Sequence, residues 1–158
     1  MAVISVDTAM QHVRADEADL PLMQAYLDAA EDAAARFMGR CFFADAAALA
    51  AGKSTIPSLL AQARAARDAA MTAAALIEHA EDRERAIKRA EIDYSAAVCD
   101  AERIAEGLVI TPTITAACLL ACGHLFANRE DVVVGTIATR LPMGFESLLL
   151  SYRVNMGV

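Results

Sequence analysis

The 158-residue chain has no tryptophan, only seven glycines and four prolines, and a formal net charge of −7. Each shortage excludes something. Gly and Pro are too sparse to punctuate a fold of many short strands and tight turns. Lys and Arg cluster on no long face, which argues against nucleic acid held by a basic surface. A wall past which DNA slides without sticking can, by contrast, be acidic. The opening residues, Met1-Ala2-Val3-Ile4-Ser5, have neither the basic nor the apolar region of a secretory signal. The four cysteines, Cys41, Cys99, Cys118 and Cys122, therefore read as free thiols in a reducing compartment. Residues 107–128 contain no Asp, Glu, Lys or Arg, close to membrane-spanning length. Thr111, Pro112, Thr113, Thr115, Gly123 and His124 within that stretch predict a buried core helix instead, and no membrane partner.

Alanine is what the chain has in plenty, roughly a quarter of all residues, and alanine loses no side-chain entropy in a helix. The expectation is an all-α protein of one domain, a small helical bundle. Ser5 to Thr8 offer N-caps for a short helix over residues 9–13, and a polar link, Arg14-Ala15-Asp16-Glu17, follows. Asp19 caps a second helix with Pro21 in its first turn and Gly39 closing it. Leu22, Tyr26, Ala29, Ala33 and Phe37 recur at spacings of three and four and predict its buried face.

An alanine-rich turn of helix should end at Gly52. From Ser58 to Glu106 there is then no Gly or Pro, and a single helix of that length would reach about 74 Å, too long for a compact domain. Two seams explain the stretch better. One is Leu59, Ala63, Ala66, Ala70, Ala73, Ile77; the other is Ile87, Ala90, Tyr94, Ala97, Ala101, Ile104, Leu108. They predict an antiparallel helical hairpin with its tip near Glu81 to Arg83, against the alternative of one long helix with a charged belt. Thr111-Pro112 starts a further helix whose buried stripe is Ile114, Ala117, Cys118, Ala121, Cys122 and Leu125, ending at Asn128. Val132-Val133-Val134 reads as extended and Leu141-Pro142-Met143-Gly144 as a turn. Residues 141–158 form an extended C-terminal arm with one helical turn at 145–150.

Nothing assembles into an active site. Gly52-Lys53-Ser54-Thr55 looks like the end of a phosphate-binding loop, but Ala47 stands where the first glycine is needed. Cys118 and Cys122 share a helical face from which His124 points away, so they read as small hydrophobes and no metal or cofactor is expected.

Three stretches together resemble the phage head–tail connector (adaptor) family. The first is Thr8-Ala9-Met10-Gln11-His12-Val13-Arg14 with the helix running to Gly39-Arg40. The second is an apolar helix closing in Leu125-Phe126-Ala127-Asn128-Arg129-Glu130. The third is Leu141-Pro142-Met143-Gly144-Phe145-Glu146-Ser147-Leu148-Leu149-Leu150-Ser151-Tyr152-Arg153. Residues 45–106 depart from the shorter family members. The domain would be a connector core, 1–43 and 107–140, with a helical insertion at 45–106 and the arm at 141–158.

The resemblance implies a structural, non-enzymatic role in the virion at the head–tail junction, after assembly in the host cytoplasm. The chain would form a ring of about twelve copies beneath the portal protein, since a head-to-tail interface that closes on itself makes a ring. Double-stranded DNA would pass through the lumen without specific binding, and a head-completion (stopper) or tail protein would dock below. The arm's apolar run, Leu141, Pro142, Phe145, Leu148, Leu149, Tyr152, Arg153 and Val154, is the expected contact with portal or neighbouring subunit. Asn128, Arg129 and Glu130 carry the family motif. Two other classes stay open: a coiled-coil interaction module built on the hairpin, and a small helical metal or redox protein using Cys118, Cys122 and His124.

Overall fold

The computed structural model describes residues 3–128 and 144–154. The fold is all-α: six helices, with one pair of two-residue strands among the described residues. The chain divides into two compact units, Met1–Ala46 with Leu108–Val158, and Ala47–Gly107.

In the first unit, α1 (Val6–Val13) starts where Ser5 Oγ accepts from the amide of Asp7 at 3.3 Å. Helix α2 (Leu20–Met38) carries Pro21 in its first turn and ends at Gly39, whose φ of 70° lets the amide reach back to the Arg36 carbonyl. Asp19 makes no capping bond with its side chain. Its backbone is already helical, because a 3₁₀ turn at Glu17–Asp19 runs straight into α2 and leaves no break to bridge. In α5 (Pro112–Ala127), Thr111 caps with its hydroxyl at 3.4 Å from the Ile114 amide, and Pro112 holds the position where a missing N–H costs nothing.

The buried face of α2 differs from the expected one. Met23, Leu27, Ala30, Glu31, Ala34 and Met38 point inward, one position on from Leu22, Tyr26, Ala29, Ala33 and Phe37. Both stripes are apolar at helical spacing, so periodicity alone does not choose between them. Helix α5 chooses, by packing Ile114, Ala117, Cys118 and Cys122 against the first set. Gly123 admits α1 closely: a Cβ there would lie 3.4 Å from Val13. The core therefore gathers around α5, with Met23, Leu27, Met38, Ile114 and Leu149 its largest fully buried side chains apart from the two thiols.

Strands β1 (Phe42–Phe43) and β2 (Leu108–Val109) pair in parallel, through Leu108 N to Cys41 O at 3.1 Å and Ile110 N to Phe43 O at 2.8 Å. This clamp fixes where the chain leaves the first unit and where it returns.

The second unit is a helical hairpin, α3 (Ala46–Ala75) and α4 (Ala80–Ala105). Helix α3 does not break at Gly52 but runs through Pro57. Around the proline, the hydroxyls of Ser54, Thr55 and Ser58 donate to carbonyls three residues back at 2.7–2.8 Å. Gly52 to Thr55 are thus helix interior, not a phosphate loop. The turn is Leu76 to His79, earlier than expected, because Glu81 and Asp82 belong to the first turn of α4, where carboxylates face the positive end of the helix dipole. Arg83 reaches back to the Ile77 carbonyl at 3.1 Å and closes the end of α3.

The α4 seam of Ile87, Ala90, Tyr94, Ala97, Ala101 and Ile104 is turned inward, whereas Leu108 lies in β2. On α3 the inward stripe is Ile56, Leu60, Ala63, Arg67, Met71, Ala74 and Ile77, leaving Leu59 40 % exposed. Arg67 enters this stripe by lying over the Tyr94 ring at 4.7 Å while pairing with Asp68 at 2.9 Å.

Candidate functional site

The closing segment is the place to look for a docking surface. Leu141 and Pro142, like Arg129 and Glu130, lie outside the described residues. Phe145, Leu148, Leu149 and Tyr152 recur at steps of three, one and three, a helical stripe rather than an extended one. They form α6 (Phe145–Leu149) and a 3₁₀ turn (Leu150–Tyr152) packed on α5 and α2.

The helical turn expected at 145–150 is present, and what is corrected over residues 144–154 is the expectation of an arm extended away from the core. Leu149 is fully buried, so it serves the core of its own chain and not a partner. Phe145 packs on Phe37 with the rings tilted by 59° and their centres 6.2 Å apart, and the Arg153 guanidinium lies over the Phe37 ring, 5.3 Å from its centre. The Thr111 hydroxyl donates to Tyr152 Oη at 3.1 Å. That bond, and a further one with the Thr113 side chain, lower the Tyr152 pKa. The amide of Val154 donates to the Met38 carbonyl at 2.9 Å, which pins the segment beside Gly39. What remains outward here is Glu146, Ser147, Leu150 at 52 % exposure, Ser151 and Arg153.

Asn128 has a local task. Its amide donates to the His124 carbonyl at 2.9 Å, and its side-chain nitrogen reaches the same carbonyl at 3.0 Å, ending α5. The same nitrogen lies 3.1 Å from His124 Nδ1. His124 is exposed, whereas Cys118 and Cys122 are buried, so the three do not converge. Burial, then the nearby Glu31 charge, pushes the Cys118 thiol up to about 12; burial also raises Cys122. Both thiols stay protonated near neutrality. Among the described residues no group of three His, Cys, Asp or Glu side chains is placed to hold a metal, and no helix is long and apolar enough to cross a membrane.

Sequence reasoning missed Glu31. It sits in the buried stripe of α2 and accepts from Val3 N at 2.8–2.9 Å through both oxygens and from Ile4 N at 2.7 Å. A buried carboxylate costs several kcal/mol unless it is bonded, and here backbone amides bond it. The available signal was position: of the three acids Asp28, Glu31 and Asp32, only Glu31 falls four residues after Leu27 and seven before Met38, on the stripe that is buried.

No protein-family model matches the chain, and neither the curated proteins nor the solved structures contain a match to it.

Proposed function

We propose that this chain is a structural head–tail connector of a tailed phage, forming a ring beneath the portal protein that extends the DNA channel and carries the next head-completion or tail protein. One observation supports the reading most. The family-like stretches within the described residues (α1 with α2, α5 to Asn128, and the closing turn to Arg153) pack on one another as a single unit. The residues without family counterpart leave and re-enter through the β1–β2 clamp. An insertion tolerated by a fold must begin and end at neighbouring points, and this one does.

The folded closing segment changes which residues carry the docking. Leu150, which was not among the expected contacts, takes the place of Leu148 and Leu149 as the exposed apolar candidate, since that pair is held against the core, and Arg153 stays as the exposed cationic one. The net charge of −7 suits a lumen wall that repels the DNA backbone.

The test is binding of the purified chain to portal-bearing heads that lack it. Sedimentation should show saturable uptake, and imaging should show density at one vertex only. Heads that sediment without the chain, or take it up over their whole surface, would refute the proposal. Leu150→Asp with Arg153→Glu should abolish uptake while leaving the helical content unchanged.

A further inference from the structure

Helix α3 gathers its least helical residues into one short stretch. Pro57 has no N–H, so the Lys53 carbonyl lacks the donor that a helix supplies four residues on. Gly52 lies just before it, and Pro and Gly are the two residues that least favour a helix interior. The hydroxyls of Ser54, Thr55 and Ser58 donate to the carbonyls of Ala51, Gly52 and Thr55 at 2.7–2.8 Å. Such bonds compete with the backbone ladder and bend helices.

The other limb of the hairpin ends at the same height. Leu59 shares a groove with Ala101, Ala63 with Ala97 and Ala70 with Ala90, a register that sets Pro57 level with Arg103. Helix α4 stops two residues later, at Ala105, and Gly107 follows. The turns of α3 from Ala46 to Ser54 therefore extend about 13 Å past the end of α4. None of residues 46–58 is buried, so packing does not offset the proline there. Beyond it the two helices hold each other: Arg67 lies over the Tyr94 ring, and Ala74, Ala90 and Ala101 are buried.

We infer that Pro57 is a hinge. The first turns of α3 open locally, and the paired helices from Ser58 to Arg103 swing as one piece about a line through Pro57 and the end of α4. Every contact named between the two helices lies on one side of that line, so the movement breaks none of them. A bend of about 20° carries the Leu76 turn, roughly 28 Å along the helix, through about 10 Å. Hinges of this kind sit where an element can change its backbone angles without repacking a core, and α3 meets that condition only ahead of the paired region.

The inference does not rest on the connector reading, and its test uses the full chain alone. Amide hydrogen exchange should run at least a hundredfold faster at Ala51 to Ile56 than at Ala63 to Ala74. Pro57→Ala restores the donor to the Lys53 carbonyl and should slow the first set by about a hundredfold while leaving the second unchanged. Spin labels at Ala50 and Ala65, both exposed, in a chain with Cys41→Ser and Cys99→Ser, report the bend itself. Their distances should spread below the span of a straight helix, about 22 Å between the two backbones, and narrow towards it in Pro57→Ala. Even protection from 51 to 74, fast exchange that Pro57→Ala leaves unmoved, or one sharp distance with the proline present overturns the inference. The alanine favours the helix, so loss of folding does not blur these readings.

Discussion

Replacing Glu31 with glutamine removes a charge and almost no volume, and so isolates what the carboxylate does for the amino-terminal residues. Val3 and Ile4 donate to it over 2.7–2.9 Å, and Ile4 is itself buried. A hydrogen bond to a charged acceptor contributes about 1.5–3 kcal/mol and a neutral one about 0.5–1.5 kcal/mol. Two amides therefore lose about 2–3 kcal/mol together when the charge goes. The carboxamide's NH₂ can also no longer accept from Val3.

Urea unfolding followed by circular dichroism should show this loss at unchanged slope. Amide exchange at Ile4 should accelerate by at least tenfold, a local readout that matters because two compact units need not unfold in one transition. The control is a chain lacking residues 1–4. There the carboxylate is left without its amides, and Glu31→Gln should be neutral or stabilising, since an uncompensated buried charge costs more than a carboxamide. Equal stability of wild type and Glu31→Gln within about 0.5 kcal/mol, or an equal loss in the shortened chain, would refute the reasoning.

Gly39→Ala should destabilise by about 1–2 kcal/mol, because φ is 70° and the new methyl would sit 3.2 Å from the Val154 carbonyl oxygen; thermal unfolding that leaves the midpoint unmoved would contradict the geometry. Thiol labelling at pH 8 should modify Cys99, which is exposed, well before Cys118 and Cys122, which are buried. The Cys118 pKa is raised in the folded state, from 9.0 to about 12, so its favourable contribution is complete below pH 9 and is lost as pH rises from there towards 12. The urea midpoint should fall over that range, and Cys118→Ala should flatten the fall; an unchanged pH slope in the variant would count against it.

The elements were largely legible in the chain because their signals are local. Ser5, Thr111-Pro112, Gly39 and Asn128 act at the helix ends where their chemistry predicts. The uncharged run 107–128 contains one buried-face helix, and the alanine-rich run folds as a hairpin. The hairpin tip was misread because an acidic cluster serves a helix start as well as a solvated turn. Glu81 and Asp82 do the former.

The composition and spacing by themselves determined an all-α fold, most of its caps, and a helical hairpin in the alanine-rich run. Which stripe of α2 is buried was decided only by tertiary packing, since Tyr26 and Leu27 belong to adjacent apolar stripes about 100° apart and only a partner helix distinguishes them. Glu31 could be buried only because Val3 and Ile4, some 27 or 28 residues away in sequence, bring their amides to it. Phe145, Leu148, Leu149 and Tyr152 were read as a free apolar arm, and the α5–α2 surface folded them back. Local chemistry sets what an element is, and the free energy of burying one of its faces, which exists only once a second element is present, sets which side chains are left for a partner.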